Sequence, residues 1–219
     1  MMDLALAGPV FVLTLPVQGA IAAAVARSMG RPVIFHQERP GLNGEIFTLH
    51  KFRTMVDVDP ERGKVHDDDR ITPLGHFLRS TSLDELPTLW NVIRGDMSLV
   101  GPRPLLVRYL DRYTAQQARR HEVRPGLTGL AQISGRNALS WEKKFELDVW
   151  YVDNHTLLGD LKIIAGTVRA VLKRDGISAE GITTMHEFMG AAADEPDQSA
   201  TPPDESTTRS GATTAAVAT

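Results

Sequence analysis

Residues 4–26 have the sequence LALAGPVFVLTLPVQGAIAAAVA, and no charged side chain occurs between Asp3 and Arg27. A helix needs about 20 apolar residues to cross a bilayer, so this segment is long enough to enter a membrane. Proline removes a backbone donor from a helix, which predicts a break at Leu15 and Pro16. The segment then either spans with a kink or bends and returns, and the basic residue after it predicts a cytoplasmic end. The alternative is a buried helix of a soluble protein.

The composition of the whole chain excludes several classes of protein. Its 219 residues include 24 Lys and Arg, 27 Asp and Glu, and 42% hydrophobic residues, which is typical of a folded globular protein. The chain has no Cys, so a disulfide framework and a Cys-ligated zinc site are excluded. The near-neutral charge argues against a protein that binds duplex DNA through bulk positive charge.

The rest of the chain combines a small amount of strand with several helices. Two short apolar runs in residues 31–53 are separated by turn residues, which predicts a β-hairpin. The polar segment 57–70 is predicted to be a surface loop. Helical spacing occurs after Ser82 and in residues 104–121, 141–151 and 156–174. The last of these helices is amphipathic and suits either a core or a membrane surface.

These patterns predict an α+β fold. It consists of a mostly helical cytoplasmic domain with a small β-hairpin, an N-terminal apolar segment that either spans with a kink or bends and returns, and interfacial amphipathic helices. The predicted boundaries are a membrane-inserted segment at 1–30, a folded domain at 31–190, and a tail at 191–219. The tail is rich in Ala, Thr, Pro and acidic residues, which predicts disorder.

One short stretch, Ser82-Leu83-Asp84-Glu85-Leu86-Pro87, is a candidate for catalysis. Its simplest interpretation is structural, because Ser followed three residues later by Glu forms a capping box at a helix start. The functional interpretation is that one carboxylate attacks an electrophile while the other binds a hard divalent cation. A helix start also stabilises phosphate oxygens.

Cationic residues near this stretch shift the balance towards function. Arg79 precedes the two carboxylates, and Arg103 follows between two prolines that stiffen the backbone. Lys51 and Arg53 end the second predicted strand and are expected to point into the same site. The remaining candidates, which lie in turns, are Arg124, Arg136 and Asn137. Several cations beside a carboxylate pair indicate phosphoryl chemistry on a doubly anionic substrate.

The common nucleotide and hydrolase motifs are absent from the sequence. The chain has no GxxxxGK[ST], GxGxxG or GxSxG sequence, and its seven His residues are scattered. A transition-metal site is therefore not expected.

Many motifs in one order resemble the bacterial sugar transferases, the monotopic phosphoglycosyl transferases that begin lipid-linked glycan assembly. The resemblance covers nearly all of residues 3–190. The matching stretches are RPG at 39–41, KFRTM at 51–55, DRIT at 69–72, SLDELP at 82–87, GDMSLVGPRP at 95–104, RPGLTG at 124–129, SGRN at 134–137 and FELD at 145–148.

The resemblance implies a reaction and a partner set. Sugar-1-phosphate passes from a UDP-sugar to polyprenol (undecaprenyl) phosphate, with release of UMP. Asp84 matches the nucleophile that forms a covalent phosphosugar intermediate, and Glu85 matches the carboxylate associated with Mg²⁺. The predicted metal ligands are Glu85 and the adjacent Asp84. Lys51, Arg79 and Arg103 match positions that hold phosphates.

The resemblance also implies a location and a membrane topology. Such an enzyme lies in one leaflet of the bacterial inner membrane, with its catalytic domain in the cytoplasm and a re-entrant helix broken at Leu15 and Pro16. A homodimer is compatible with it, and no nucleic acid is expected.

The donor sugar is predicted from the resemblance alone. Residues 134–138 and 181–185 resemble enzymes that act on UDP-N,N′-diacetylbacillosamine or related acetamido sugars. The first alternative is a transferase of glucose-1-phosphate or galactose-1-phosphate. The second is a membrane scaffold that binds nucleotide sugars without catalysis. A nucleic-acid module is a remote third, because a helix face near an anionic membrane explains Arg112, Arg119 and Arg120 more simply.

Overall fold

The computed structural model describes residues 2–135, 139–173 and 187–190. Its α-helices are α1 (Met2–Met29), α2 (Asp67–Arg70), α3 (Pro73–Ser80), α4 (Leu89–Arg94), α5 (Ala115–Ala118), α6 (Leu130–Ile133), α7 (Trp141–Asn154) and α8 (Leu157–Lys173). Its strands are β1 (Ile34–Pro40), β2 (Ile46–Phe52), β3 (Ser98–Val100) and β4 (Gly126–Thr128). The short 3₁₀ helices are Leu42–Gly44, Pro60–Arg62, Leu83–Thr88, Val107–Arg112 and Arg119–His121. The predicted α+β class is confirmed.

The predicted β-hairpin is present and is longer than its apolar runs. β1 and β2 pair antiparallel from Ile34 opposite Phe52 to Pro40 opposite Ile46. The connection contains Asn43 with φ 54°. Asn tolerates this left-handed conformation better than most residues, so the turn chemistry seen in the sequence is the chemistry that the turn uses.

The helical predictions are confirmed at 141–151 and in the described part of 156–174, where α7 and α8 form. In contrast, residues 104–121 form separate short helices, because Thr114 starts a new one. Its hydroxyl accepts from the backbone N–H of Gln117, whose side chain accepts from the backbone N–H of Thr114. The segment 57–70 is not entirely a loop, since its end forms α2. Three Asp residues begin α2 and Arg70 ends it, a charge order that favours the helix dipole.

The N-terminal helix corrects the predicted break. α1 is continuous through both of its prolines. Pro16 frees only the carbonyl of Val12, which lies on the exposed side of the helix. The Thr14 hydroxyl donates to the carbonyls of Val10 and Phe11 at 2.8 and 3.0 Å. The interruption expected at Leu15 and Pro16 is therefore absent. The backbone carbonyl that Pro16 leaves without a helical partner is on the exposed side of α1, away from the contacts with the body.

Both ends of α1 contact the same folded body. At the start, the Asp3 carboxylate accepts from the Ser98 hydroxyl at 2.9 Å and from the Leu99 backbone N–H at 3.0 Å. Near the end, Ile21 and Val25 are buried in one cluster with Phe52 and Leu78. Between them, side chains of low exposure recur at steps of three and four residues, at positions 7, 11, 14, 18, 21 and 25. One face of α1 therefore packs along the body over most of its length.

The opposite face of α1 is apolar and exposed. By length and composition, α1 qualifies as a candidate membrane span. Its exposed apolar residues are Leu4, Leu6, Val10, Val12, Leu13, Leu15 and Val17. α8 has the same two-sided character, since Ile163 is buried while Leu157, Leu158 and Leu161 are exposed. Such faces are typical of helices that lie against a membrane.

A short parallel strand pair, which the sequence pattern does not predict, brings two loops together. β3 and β4 pair with Ser98 opposite Gly126 and Val100 opposite Thr128. Gly101 and Gly126 allow the backbones to approach, because a Cβ on either glycine would overlap main-chain atoms of the other loop. This contact places the loop that contains Arg103 beside β4.

The described C-terminal residues 187–190 pack on the body. Phe188 is fully buried against Tyr109, Tyr113, Trp141 and Phe145. The predicted tail at 191–219 lies outside the described residues.

Candidate active site

The position of β2 beside the carboxylate pair is fixed by two polar residues of the neighbouring helices. The Thr88 hydroxyl donates to the carbonyl of His50 at 2.8 Å. The side chain of Asn91, which is fully buried, accepts from the His50 backbone N–H at 3.1 Å and donates to the carbonyl of Thr48 at 2.7 Å. These bonds anchor the backbone of Thr48 and His50, just before Lys51. Lys51 is therefore held facing Glu85.

The carboxylate pair does not form the capping box. Ser82 has φ 56°, and its side chain makes no capping hydrogen bond. Glu85 instead accepts from Lys51 Nζ at 2.6 Å and from Arg103 Nη2 at 2.7 Å, with both donors on Oε1. The capping interpretation is therefore wrong at the side-chain level, since Glu85 turns towards cations on two other segments of the chain.

The two carboxylates lie in opposite electrostatic environments. Burial and the neighbouring charge of Glu85 raise the pKa of Asp84 to about 6, against the weaker opposing effects of nearby cations. Burial alone would also raise the pKa of Glu85, but Arg103 and Lys51 outweigh it and hold that pKa well below its usual range. Glu85 is therefore a permanent anion, and Asp84 gains and loses its proton near neutral pH.

Arg79 approaches the pair from α3. Gly75 lets α3 lie directly on the backbone of Thr54, where a Cβ would overlap the Thr54 carbonyl. The Thr54 hydroxyl then accepts from Arg79 Nε at 3.0 Å. Arg79 also acts on Asp84 by lowering the pKa that burial raises. Three of the predicted cations, Lys51, Arg79 and Arg103, therefore surround the carboxylates.

The remaining predicted site residues are Arg53, Arg124, Arg136 and Asn137, and the first two are described by the structure. Arg53 donates to the carbonyl of Met55 at 2.9 Å and pairs with Asp57 at 2.8 Å, because β2 ends at Phe52 and the chain then turns away. The side chain of Arg124 is exposed. Arg136 and Asn137 lie outside the described residues. Arg53 is thus part of the structure around the site and does not contact the carboxylates.

Several residues of the site were not singled out from the sequence. Thr54, Thr88 and Asn91 position the charged groups, and a buried Asn between apolar residues of a helix is a signal that could have been noticed. Arg120 is also buried, with 2% of its surface exposed, so the expectation of a basic helix face near a membrane is wrong for this residue. Its contacts are described below.

The arrangement fits a hard divalent cation only in combination with a substrate. Within the described residues, no group of three His, Cys, Asp or Glu side chains could hold a metal. Mg²⁺ commonly uses one or two protein carboxylates and completes its shell with water and phosphate oxygens. Asp84 and Glu85 supply that number, so a metal here would be shared with a phosphate-bearing ligand.

The geometry suits nucleophilic attack on a phosphorus atom. A buried carboxylate that ionises near pH 6 is a usable nucleophile when cations neutralise the charge that develops on the phosphate. Lys51 and Arg103 already share the charge of Glu85, so they are held in place before a substrate arrives. This preorganisation is what phosphoryl transfer needs.

Comparisons with known proteins identify the family of the chain. The family model of the bacterial sugar transferases matches residues 1–174. The sugar transferase EpsL of Bacillus subtilis is 57% identical, and the match covers 77% of this chain and 84% of EpsL. The UDP-galactose-lipid carrier transferase of Erwinia amylovora is 44% identical over 80% of this chain and 40% of its own length. The undecaprenyl-phosphate galactose phosphotransferase of Salmonella typhimurium is 42% identical over 67% of this chain and 35% of its own length. The chain thus matches well under half of these two longer relatives.

Proposed function

Since the chain belongs to the bacterial sugar transferase family, we propose that it transfers a sugar-1-phosphate from a UDP-sugar to polyprenol phosphate and releases UMP. Two of its relatives are named for such transfers to a lipid carrier or to undecaprenyl phosphate. The single observation that carries the proposal is the buried Asp84 beside a Glu85 that two cations neutralise.

The proposed reaction has two displacements at one phosphorus atom. A carboxylate oxygen of Asp84 attacks the phosphorus that bears the sugar, and the bond from that phosphorus to the bridging oxygen breaks. UMP leaves with the bridging oxygen, and the sugar phosphate stays on Asp84 as an acyl phosphate. A phosphate oxygen of the polyprenol phosphate then attacks the same phosphorus and releases the Asp84 carboxylate. Division into two steps avoids one difficult transfer between two anions.

The cations have complementary roles in this scheme. Arg103 and Lys51 reach the site already bound to Glu85, so their positions do not depend on the substrate. Arg79 is held through its Nε by Thr54, which leaves the rest of its guanidinium edge for phosphate oxygens. Mg²⁺, held by Glu85 and Asp84 together with the diphosphate, would further neutralise the leaving group.

The proposed acceptor is a lipid, and the helix α1 is suited to bring the site to it. Both ends of α1 contact the body, so α1 does not carry the chain to the far side of a bilayer in this conformation. We infer that α1 and the outer face of α8 lie in one leaflet and that the site faces the cytoplasm, as the positively charged end of α1 favours. The bacterial inner membrane is the corresponding location.

Two donor classes remain in competition. The resemblance of residues 134–138 and 181–185 favours UDP-N,N′-diacetylbacillosamine or a related acetamido sugar, and most of these residues lie outside the described part of the chain. The alternative is a hexose donor, which the names of the galactose and glucose transferases among the relatives favour. A donor panel separates the two classes, because only the cognate sugar supports rapid release of UMP.

The test is UMP release from detergent-solubilised protein with Mg²⁺ and a panel of UDP-sugars, without polyprenol phosphate. A burst equal to the amount of enzyme, absent from Asp84→Asn, would support the covalent mechanism and name the donor. Turnover that requires the acceptor and shows no burst would replace the covalent mechanism with direct transfer. Nucleotide binding without any turnover, in a folded and membrane-bound protein, would favour the scaffold.

A further inference from the structure

The loop that contains Arg103 is held through its carbonyl oxygens. Pro102 and Pro104 have no backbone N–H, so the main chain here offers mainly acceptors. The Pro102 carbonyl accepts from the Gly126 backbone N–H at 2.9 Å. The Pro104 carbonyl accepts from Arg39 Nη1 at 3.4 Å. The loop therefore depends on donors that other segments supply.

The carbonyl between these two belongs to Arg103, and its donor is a buried arginine. Arg120 Nη2 donates to the Arg103 carbonyl at 2.7 Å. Among the described residues, Arg103 is the residue of this loop whose side chain reaches Glu85. One guanidinium thus fixes the backbone of the residue that presents another guanidinium to the catalytic pair.

Arg120 is itself held on every side. Its Nε and Nη2 donate to one oxygen of Asp148 at 3.1 and 2.7 Å, and both side chains are nearly fully buried. Nη1 donates to the hydroxyl of Tyr113 at 3.3 Å, and the guanidinium lies 5.7 Å from the ring of Phe145. A group fixed by an ion pair, a hydroxyl and an aromatic ring has little freedom to move.

We propose that Arg120 is a positioning residue that, through the Arg103 carbonyl, sets where the Arg103 guanidinium meets Glu85. This inference rests on the proposed function, because it assigns Arg120 a part in that reaction. Asp148 in turn holds Arg120. Neither residue touches the reacting atoms, and both act through Arg103.

The planar fork of arginine is what this position requires. Arg120 serves Asp148, Tyr113 and the Arg103 carbonyl at once, with donors that point in fixed directions. A lysine would keep the positive charge that the buried Asp148 needs, but its single ammonium cannot reproduce this geometry. Arg120→Lys therefore separates positioning from charge balance, whereas an uncharged replacement would remove the cation that hydrogen-bonds the buried Asp148.

The test is a double-mutant cycle on the rate constant of the UMP burst, using the wild type, Arg120→Lys, Arg103→Gln and the double variant. If Arg120 acts through Arg103, Arg120→Lys slows the burst about tenfold to a hundredfold in the wild type. In the Arg103→Gln background the same change alters the rate by less than about twofold. If Arg120→Lys slows the burst by the same factor in both backgrounds, the proposal is overturned. A general loss of structure would slow both backgrounds equally, whether or not Arg103 is present. No effect in either background would overturn it too.

Arg119→Lys is the matched control. Arg119 is the preceding residue, its side chain is one-third exposed, and it pairs with Glu122 and Asp153. We expect the burst rate of this variant to stay within about twofold of the wild type. A slowing equal to that of Arg120→Lys would show that the effect belongs to the local helix and not to Arg120.

Hydrogen exchange tests the same inference without any catalysis. The Gly101 backbone N–H donates to the Thr128 carbonyl, and the Gly126 N–H donates to the Pro102 carbonyl. In Arg120→Lys these amides should exchange faster than in Arg119→Lys, while amides of the β1–β2 hairpin should not change. Unchanged exchange at both glycines would refute positioning even if no donor sugar is found. If the wild type gives no burst but the two variants differ in exchange as expected, the result would count against the proposed function alone.

Discussion

Asp84 and Glu85 are adjacent, yet they hold their protons very differently because of what surrounds each one. Glu85 faces two cations on Oε1, while Asp84 is buried beside an anion. The arrangement keeps one carboxylate charged at all times and makes the second one a base of moderate strength. A nucleophile of this kind forms an acyl phosphate and still leaves in the second step.

The pH dependence of the burst follows from the pKa of Asp84. Attack requires the ionised carboxylate, and burial with the charge of Glu85 places this pKa at about 6. The burst rate should rise with pH and reach half of its plateau at or below pH 6, because a cation bound beside the carboxylate lowers its pKa further. Rapid mixing with the cognate UDP-sugar between pH 4.5 and 8 measures it. A burst that stays constant down to pH 4.5 would contradict the assignment of Asp84 as the titrating nucleophile.

Asp84→Asn should make the protein more stable above pH 6. The pKa of Asp84 is raised in the folded state, so the folded state binds more protons than the unfolded state between pH 3.8 and about 6. Stability is therefore lost as pH rises through this window. The amide cannot ionise, so the unfolding temperature of the variant should exceed that of the wild type by a few degrees at pH 7.5.

The difference between the two proteins should shrink as pH falls towards 4. Asp111→Asn is a matched control, because Asp111 is an exposed acidic residue that lies outside the carboxylate pair. A constant difference across the pH range would mean that the gain comes from packing and not from ionisation.

Glu85→Gln should cost far more activity than stability. The amide removes the charge that Lys51 and Arg103 share, and both cations are then free to leave the site. We expect turnover to fall by at least about a hundredfold, with a decrease of only a few degrees in the unfolding temperature. Turnover with varied Mg²⁺ and thermal unfolding of the same sample measure both. An unfolded variant would instead mean that Glu85 is chiefly structural.

At the scale of elements, residues 187–190 belong to the folded domain. Phe188 is buried at ring distances of 4.9 Å from Phe145 and 5.8 Å from Tyr113, and Tyr113 bonds Arg120. Glu187 pairs with Arg108 and Arg112 at 2.9 and 2.8 Å. The described residues just before the boundary predicted at residue 190 therefore pack on the domain.

Two truncations separate this end from the tail beyond it. Removal of residues 191–219 should leave turnover within about twofold, because this segment is rich in Ala, Thr, Pro and acidic residues and contains none of the proposed site residues. Removal of residues 187–219 should lower the unfolding temperature and slow the burst, since loss of a buried Phe costs about 3–5 kcal/mol. Equal behaviour of the two truncated proteins, measured by thermal unfolding and UMP release, would contradict the role of Phe188.

The elements that could be predicted from the sequence are those that local patterns determine. The β1–β2 hairpin follows from two apolar runs with a turn between them, and α7 and α8 follow from helical spacing. The β3–β4 pair could not be found, because three-residue strands separated by more than twenty residues have no periodicity. The same applies to Arg120 and Asp148, whose pairing depends on the packing of distant segments. Arg53 was misplaced because the strand ends one residue before it.

At the scale of the whole molecule, both ends of α1 should be found on one side of the membrane. The chain has no Cys, so single cysteines in place of Met2 and Ser28 report on each end without background. Both should react with a membrane-impermeant maleimide in inside-out vesicles and remain unlabelled in intact spheroplasts. Labelling of the two positions from opposite sides would establish a spanning helix and contradict this conformation.

The packing of α1 has a practical consequence for any attempt to prepare a water-soluble fragment. Ala7 shares a buried cluster with Leu49, Leu89, Val92 and Met97, which come from β2, α4 and the following turn. Removing the N-terminal segment would therefore not detach a tether from an intact enzyme. It would remove part of the protein interior next to the strand that supplies Lys51, so the apolar N-terminal helix and the catalytic domain must be purified, stabilised and engineered as one unit.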